Sequence, residues 1–488
     1  MKKILIAASE AVPFMKTGGL ADVMGALPKY FHKDEYDVRV MIPKYTCMDQ
    51  SLSGGFTKVA TCGVTLNWRH QYISVYCGTA DGILYYLLEN DNYFAGDTPY
   101  GEIHTDAEKF AFFSKAVLTV LPLLGFRPDV IHCNDWQTGL LPVFLKEQFD
   151  KPFYKKIRTI FTIHNMRFQG RWSIDAYKDI TGLSDACFTF ENLESYGDAN
   201  ALKGGIVYAD YVTTVSESYA KEIQTAAYGE NLDPLMRYYQ KKLIGIVNGL
   251  DTELYDPKTD DMLIANYNEK DRREKKAINK KALQEELGLN VSDAVFLIGM
   301  VSRLTDQKGF DLVIAKLDTL MERKDIQIAL QGTGDPYYQE LLREFGEKYP
   351  GRIAIKIQYS EMLAHRIYGS ADAFLMPSIF EPCGLSQLIS LRYGTVPMVR
   401  LTGGLKDTVK PYKKDEKTGN GFGFSTHSAD DMVAMILEAY TLFKEDKEAW
   451  GELADCGMRQ DHSWKQSAAA YAKLYNACYM ETQLSSLE

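Results

Sequence analysis

The chain has 488 residues, which is too many for one ordinary hydrophobic core, so we expect two or more domains. Its 46% hydrophobic and 25% charged residues are typical of a globular protein, and the net charge of −10 argues against nucleic acid as the main partner. The apolar run at residues 4–8 is too short for a signal peptide, and no run approaches the roughly 18 residues of a membrane span. We therefore expect a cytoplasmic protein without a membrane partner.

Short apolar runs alternate with longer helical patterns along the whole chain. Runs typical of buried strands cover residues 3–8, 38–42, 130–132, 159–164 and 211–215 in the first half. In the second half they cover residues 295–301, 327–331, 353–357 and 373–376. This alternation predicts α/β units with parallel sheets, whose strands are buried on both faces and therefore read as continuous apolar runs.

A segment rich in turn-forming residues, NGLDTELYDPKTDD, begins at Asn248 and is followed by a charged helical pattern and a new strand. We place a domain boundary near Asp251, with one domain at residues 1–250 and another at 251–464, each long enough for its own doubly wound sheet. The last stretch, from about residue 465 to 488, is predicted to be a helix. Its spacing alone allows packing on either domain.

Three features of the first half follow predicted strands. The loop Lys16-Thr17-Gly18-Gly19-Leu20 is suited to an anion, because its glycines and the following helix expose backbone N–H groups, but an ordinary tight turn fits equally well. Asp135 and Trp136 offer a carboxylate and an aromatic face to a sugar, or form a helix cap with Trp136 in the core. His164 is either a pocket residue or a core histidine bonded to backbone.

The second half carries a matching set after its own strands. Arg303 and Lys308 are spaced to clamp a diphosphate, or form a solvated surface pair. Glu381 begins an apolar helix, where a carboxylate holds sugar hydroxyls or merely stabilises the helix N-terminus. Cys383 is more typical of a small buried side chain than of a nucleophile, and Thr402-Gly403-Gly404 forms a second glycine turn.

Patterns of metal binding are absent from the sequence. The eight cysteines include no CxxC, the eight histidines include no HxxxH, and no DxD triplet occurs. We therefore expect reduced cysteines, no metal site and no cofactor.

Together these segments resemble the bacterial glycogen synthase and plant starch synthase family. KTGGLADV, NDWQTG, TIHN, VNGLD, SRLTDQKG, FEPCGLSQ and RYGTVPMVRLTGGLKDTV occur in the order of that family, over residues 3 to about 464. The resemblance implies two doubly wound, Rossmann-like domains facing across a cleft, the GT-B architecture. It also implies that the last helix crosses back to the N-terminal domain.

The resemblance implies a role for each matching residue. The donor side, for which the bacterial resemblance favours ADP-glucose over UDP-glucose, comprises Lys16, Gly18, Gly19, Asn248, Arg303, Lys308, Glu381, Cys383, Gly384, Leu385, Ser386, Thr402, Gly403 and Gly404. The acceptor side, for glycogen or a malto-oligosaccharide, comprises Asp22, Tyr93, Asp135, Trp136 and His164. The catalytic residues among them are Lys16, His164, Arg303, Lys308 and Glu381.

Two positions depart from the family pattern. Gln137 follows Trp136 where the family usually has His, so no acid–base role is assigned there, and Ile389 stands where related transferases often carry a second Glu. The segment of residues 51–97 shows little that matches.

The reaction implied is glucosyl transfer to the non-reducing end of an α-1,4-glucan with retention of configuration. We favour attack on the same face as the leaving group, in which the departing diphosphate helps deprotonate the acceptor 4-hydroxyl. Arg303 and Lys308 would then neutralise the leaving group in place of a metal. A sugar-nucleotide epimerase, which needs no acceptor, and a non-catalytic glucan-binding scaffold are the alternatives.

Overall fold

A computed structural model describes residues 1–484 of the chain. The chain folds into two compact units. Unit 1 comprises Met1–Gly249 and the C-terminal helix that starts at Trp464, and unit 2 comprises Leu250–Ser463.

Unit 1 contains twelve of the strands found in the described residues and, before its C-terminal helix, seven of the helices. The strands are Lys2–Ala7 (β1), Tyr36–Pro43 (β2), Thr57–Leu66 (β3), Arg69–Ala80 (β4), Ile83–Glu89 (β5), Val130–Asn134 (β6), Arg158–Ile163 (β7), Arg171–Ser173 (β8), Glu194–Ser195 (β9), Asp198–Asn200 (β10), Tyr211–Thr214 (β11) and Leu243–Gly245 (β12). The helices are Gly19–Ala26 (α1), Ile103–Val120 (α2), Leu140–Glu147 (α3), Ile174–Thr181 (α4), Ala201–Tyr208 (α5), Glu217–Glu222 (α6) and Asp233–Tyr238 (α7).

The main sheet of unit 1 has the strand order β12-β11-β7-β6-β1-β2-β5-β4-β3. All neighbours from β12 to β5 are parallel, whereas β4 and β3 extend the sheet as antiparallel strands. A small antiparallel sheet of β8, β10 and β9 lies apart from it. Counting only the parallel strands, the order is 3-2-1-4-5-6-7, that of a doubly wound nucleotide-binding sheet.

Both faces of this sheet are buried. Ile4 and Ile6 of β1 pack in one core with α1 and the C-terminal helix, whereas Leu5 and Ala7 pack in the other core with α2 and α3. Successive side chains of a strand point to opposite faces, so a strand covered on both sides must be apolar throughout.

Unit 2 is built in the same way from the elements that follow. Its strands are Phe296–Val301 (β13), Ile326–Gln331 (β14), Ile353–Lys356 (β15), Ala373–Met376 (β16), Val396–Arg400 (β17) and Phe422–Phe424 (β18). Its helices are Arg272–Leu287 (α8), Phe310–Met321 (α9), Pro336–Lys348 (α10), Glu361–Ser370 (α11), Ser386–Arg392 (α12), Gly403–Thr408 (α13), Ala429–Glu445 (α14) and Lys447–Arg459 (α15). The parallel order β15-β14-β13-β16-β17-β18 is again 3-2-1-4-5-6.

The last helix, Trp464–Leu484 (α16), packs on the sheet of unit 1. The Tyr475 hydroxyl lies 2.8 Å from Nδ1 of His132 in β6, and the Tyr211 hydroxyl donates to Glu481 at 2.6 Å.

Short 3-10 turns occur at Leu27–Tyr30, Gln50–Ser53, Trp136–Thr138, Asp185–Phe188 and Asp306–Lys308. The α/β class with parallel sheets that the sequence predicts is confirmed.

Candidate active site

Each parallel sheet reverses its strand order beside its first strand. β1 lies between β6 and β2 in unit 1, and β13 lies between β16 and β14 in unit 2. At such a switch point the two flanking loops leave in opposite directions and open a crevice at the carboxyl ends of the strands, where α/β proteins bind ligands. The loops after β1, β6, β13 and β16 carry most of the predicted site residues.

The loop after β1 presents Lys16 and two glycines. Nζ of Lys16 lies 2.7 Å from Oδ1 of Asp22 in the first turn of α1. Gly18 is extended (φ −158°), and a Cβ there would meet only Oε1 of Glu10, at 3.8 Å. A Cβ at Gly19 would meet nothing within 4 Å. The fold itself therefore requires glycine at neither position, and the space beside both residues is open.

Glu10 lies beneath this loop with 3% of its surface exposed. Its Oε2 accepts hydrogen bonds from both the backbone N–H and the hydroxyl of Thr17, each at 2.7 Å. Burial raises the pKa of this carboxyl to about 7, although the bonds from Thr17 act in the opposite direction. No role was predicted for Glu10 from the sequence.

Asp135, the first residue after β6, has a backbone conformation that is rare for a residue with a side chain, with φ 56° and ψ 178°. Such a conformation costs about 1–3 kcal/mol and is concentrated at functional sites. Its Oδ1 accepts the backbone N–H groups of His164 (2.7 Å) and Asn165 (3.4 Å). Burial raises the pKa of Asp135 to about 7, and the charge of Glu10 adds to this shift.

His164, just past the end of β7, is held in one tautomer. The side-chain amide of Asn134 donates to the carbonyls of Ala7 (3.1 Å) and His132 (3.2 Å), so its oxygen faces Nε2 of His164 at 2.9 Å. Nε2 therefore carries the proton and Nδ1 carries the lone pair. Burial lowers the pKa of His164 to about 3, so the ring is neutral at neutral pH.

Two aromatic residues predicted for the acceptor side lie in the core of unit 1. Tyr93 and Trp136 are each 8% exposed. Tyr93 stacks on Phe112 at 4.5 Å and donates to Glu108 at 2.6 Å, while Trp136 packs edge-on against Phe110 at 5.3 Å. These placements are typical of core side chains, and the acceptor role of the two residues stays a prediction from the sequence.

Two buried amides of unit 1 keep an oxygen without a hydrogen-bond partner among the described residues, Oδ1 of Asn248 and Oε1 of Gln137. Asn248 follows β12, on the same carboxyl side of the sheet as the loops above. A buried amide oxygen that its own fold does not satisfy is suited to accept a hydrogen bond from a ligand hydroxyl.

In unit 2, glycine brings the loops after β13 and β16 together. Gly309 has φ 73°, and a Cβ there would lie 2.1 Å from the carbonyl oxygen of Pro377. The N–H of Ile379 donates to the carbonyl of Gln307 at 2.8 Å, which ties the two loops by their backbones. These contacts place Lys308 beside Glu381.

The Lys308 ammonium lies 2.6 Å from Oε2 of Glu381, and the Ser378 hydroxyl donates to the same oxygen at 3.0 Å. The side chain of Glu381 is 9% exposed and that of Lys308 17%. Arg303, on the same loop as Lys308, is exposed, and no carboxylate of residues 1–484 forms an ion pair with it. The switch point of unit 2 thus offers the solvated guanidinium of Arg303, the partly buried ammonium of Lys308 and the carboxylate of Glu381. The bonds from Lys308 and Ser378 go to Oε2 of this carboxylate and not to Oε1.

The second glycine turn packs against this carboxylate loop. Gly403 has φ 45°, and a Cβ there would lie 2.0 Å from the Glu381 carbonyl oxygen, while one at Gly404 would lie 2.1 Å from that of Cys383. Their absent side chains are therefore explained by close backbone packing, in contrast to Gly18 and Gly19. The remaining predicted donor residues form this buried junction or its edge, namely Cys383, Gly384 (φ 78°), Leu385, Ser386 at the start of α12 and Thr402 before α13.

Comparison with known proteins identifies the family. The family model described as the starch synthase catalytic domain matches residues 3–238, and that of glycosyl transferases group 1 matches residues 279–454. The glycogen synthase of Lachnospira eligens is 54% identical over 98% of this chain and 100% of its own length, and that of Geobacillus stearothermophilus is 46% identical over 97% of each. This chain belongs to the glycogen synthase family.

Solved structures agree with this family assignment. The catalytic domain of starch synthase IV from Arabidopsis thaliana, bound to ADP and acarbose, matches with a TM-score of 0.92 and 32% identity, over 98% of this chain and 99% of that one. Sucrose-phosphate synthase from Thermosynechococcus elongatus shares the fold alone, at 16% identity and a TM-score of 0.60 over 99% of this chain and 100% of that one. The glycogen synthase family member described here is a glycosyltransferase of the GT-B fold.

Two features typical of other protein classes, a membrane-spanning helix and a metal cluster, are absent from residues 1–484. No helix within residues 1–484 has the length and apolar character of a membrane span. Those same residues hold no cluster of three or more His, Cys, Asp or Glu side chains arranged around a common metal position.

Sequence reasoning missed three residues that shape this glycogen synthase family site. Asn134 fixes the tautomer of His164, Ser378 holds Glu381, and Glu10 anchors the loop of Lys16. Each lies at or just beyond the carboxyl end of a strand that the apolar runs located. Their position at strand ends was the sequence signal that could have indicated all three residues.

Proposed function

We propose that the protein transfers glucose from ADP-glucose to the non-reducing end of an α-1,4-glucan, with retention of the α configuration. The observation that carries the proposal is the group of Arg303, Lys308 and Glu381 at the switch point of unit 2. The starch synthase IV structure, which contains ADP and acarbose, supports an adenine nucleotide as the donor and a glucan as the acceptor.

We propose that Arg303 and Lys308 bind the diphosphate of the donor. The guanidinium of Arg303 carries a planar set of donors that suits two phosphate oxygens, and the ammonium of Lys308 acts as a point charge. Oε2 of Glu381 already accepts from Lys308 and Ser378, which leaves Oε1 to accept hydrogen bonds from the hydroxyls of the donor glucose.

In unit 1, we propose Lys16, Gly18 and Gly19 as further contacts to the donor, because the backbone of this loop is open to an approaching phosphate. His164 is neutral and has a lone pair on Nδ1, so it accepts a hydrogen bond from a sugar hydroxyl rather than contributing a positive charge. Oδ1 of Asn248 is a second acceptor of the same kind.

The transfer that we propose proceeds on one face of the donor glucose. The bond from the anomeric carbon to the diphosphate oxygen breaks, and the 4-hydroxyl oxygen of the acceptor bonds to the same carbon from the same side. The hydroxyl proton passes to the departing diphosphate. Its growing negative charge is stabilised by Arg303 and Lys308, and the contact with Glu381 fixes the position of Lys308 before the reaction begins.

The direct experiment offers glycogen with ADP-glucose or UDP-glucose, each labelled in glucose, to the purified protein. We expect label in the glycogen from ADP-glucose, released again by an enzyme specific for α-1,4 links. Arg303→Ala is the matched control. Label transfer only from UDP-glucose would overturn the donor assignment, and nucleotide turnover that ignores glycogen would favour an epimerase. A chelator should leave the rate unchanged, and a loss that a divalent ion restores would contradict the role given to the two cations.

A further inference from the structure

One carboxylate of unit 1 anchors the loop that carries Lys16. The backbone N–H and the hydroxyl of Thr17 both donate to Oε2 of Glu10, each with a donor–acceptor distance of 2.7 Å. Upstream, the N–H of Met15 bonds to the carbonyl of Ala11, and downstream α1 begins at Gly19. Between these two anchors, Thr17 is the residue through which the loop is fastened to the protein beneath it.

The charged and titratable groups around Glu10 come from every neighbouring element. Asp22 lies on α1 and is paired with Lys16, Tyr45 follows β2, Tyr100 precedes α2, and Asp135 follows β6. Asp22 and Asp135 are acidic, and no Lys or Arg in the described part of the chain forms an ion pair with Glu10. The carboxylate of Glu10 is thus buried with Thr17 as its main source of hydrogen bonds.

We propose that Glu10 is a positioning residue for the glucosyl transfer proposed above, whose carboxylate holds Lys16 and the open backbone of Gly18 in the conformation that meets the donor. The inference rests on that proposed function. An ionised carboxylate binds the two hydrogens of Thr17 more strongly than a neutral acid or an amide does, because charge-assisted hydrogen bonds are about twice as strong as neutral ones. When Glu10 takes a proton, the loop loosens and Lys16 loses its fixed position.

The variant that tests this is Glu10→Gln, which keeps the size of the side chain and an acceptor oxygen but removes the charge. We expect kcat to fall about tenfold or more, because the weakened anchor acts where Lys16 meets the transition state. The melting temperature at pH 8 should remain at or above that of the wild type. Glu89→Gln is the matched control, since it removes a carboxylate of the same unit that bonds to Lys44 at 2.6 Å.

The pH profile separates positioning from mere packing. In the wild type, kcat/KM should rise with pH through about 7 as Glu10 ionises, and Glu10→Gln should lack this rise. Asp135 titrates in the same range, so Asp135→Asn is measured as well and should retain the rise that belongs to Glu10. A Glu10→Gln enzyme with wild-type kcat and an unchanged acid limb overturns the proposal.

Hydrogen exchange tests the loop without using activity. The amides of residues 16–19 should exchange faster in Glu10→Gln than in the wild type at the same pH, and Glu89→Gln should match the wild type. If the wild type transfers no glucose from ADP-glucose, the proposed function fails, yet this measurement still decides whether Glu10 holds the loop. Exchange rates equal to those of the wild type would refute the anchor.

Discussion

Replacing Lys308 by alanine should both slow glucosyl transfer and destabilise unit 2, whereas Arg303→Ala should slow transfer alone. The reason is the partner of each cation. Lys308 lies 2.6 Å from Oε2 of Glu381 and only 9% of that glutamate side chain is exposed, so the substitution leaves a buried carboxylate without its counter-charge. Arg303 is exposed and has no ion-pair partner in residues 1–484, so nothing buried is left unsatisfied.

The expected sizes follow from these contacts. Removing one partner of a buried ion pair destabilises a protein by about 3–5 kcal/mol, and the hydroxyl of Ser378 at 3.0 Å keeps the estimate for Lys308→Ala near ~3 kcal/mol. In a unit of roughly 200 residues this lowers the melting temperature by about 6–12 °C. Arg303→Ala should change the stability by no more than ~0.5 kcal/mol. Each substitution should lower kcat/KM by about a hundredfold, because each removes a charge that faces the leaving diphosphate.

Calorimetric melting curves at pH 8 and initial rates with ADP-glucose and glycogen measure both effects. The double variant Lys308→Ala/Glu381→Gln is the internal control, because a neutral amide no longer needs the ammonium, so stability should return while activity does not. Arg303→Lys should recover only part of the rate, since a point charge lacks the geometry of the guanidinium. The reasoning would be refuted by a Lys308→Ala protein that melts like the wild type. It would also be refuted if Arg303→Ala lowered the melting temperature as much as Lys308→Ala does.

Three further predictions use contacts described above. Glu381→Ala should lower turnover about ten- to a hundredfold and weaken the binding of free ADP less, because ADP has no glucose to hold and loses only the orientation that Glu381 gives to Lys308; calorimetric titration beside initial rates checks this, and equal losses would contradict it. Gly19→Ala should melt within about 2 °C of the wild type and still slow transfer, whereas Gly403→Ala should be destabilised by more than ~2 kcal/mol, because its Cβ would lie 2.0 Å from a carbonyl oxygen. A fully active Gly19→Ala enzyme would argue against ligand contact there. The free energy of unfolding, measured with urea, should fall between about pH 5 and pH 8, and Glu10→Gln should show a smaller fall; an equal fall in both proteins would count against the raised pKa.

Much of the fold could be predicted because parallel strands covered on both faces are apolar throughout. The run at residues 373–376 coincides with β16, and that at residues 211–215 is one residue longer than β11. The segment of residues 51–97 was predicted less well. Its strand β5 is an apolar run parallel to β2 and was missed, although its pattern is the same as that of the strands that were found. Its strands β3 and β4 are antiparallel and partly exposed, so their mixed side chains give no continuous apolar run.

Within the site, the sequence located the residues but could not reveal their partners. Lys308 and Glu381 are 73 positions apart, and Asp135 holds the backbone of His164 from 29 positions away. Only the order of the strands brings such residues together, and that order is not visible in any local pattern. Trp136 shows the opposite problem, since an indole suits a sugar face and a hydrophobic core equally well, and its packing on Phe110 was not readable from its neighbours in the chain.

Two carboxyls of unit 1 whose pKa values are raised, those of Glu10 and Asp135, make the native protein less stable than its fold alone would allow. The pKa of Glu10 is raised from 4.5 to about 7, so the folded state holds a proton that the unfolded chain releases between these values. Its contribution to stability is therefore complete below pH 4.5 and is lost as the pH rises through about 7, by on the order of 3 kcal/mol. Asp135 adds a loss of the same sign and a strained backbone at φ 56°. A fold under selection for stability alone would replace both carboxyls by neutral side chains, since Thr17 and the amide of His164 can donate to any acceptor. Both groups lie at the carboxyl edge of the sheet, where α/β proteins bind ligands, and this placement supports the proposed transfer, which needs the ionised form of Glu10.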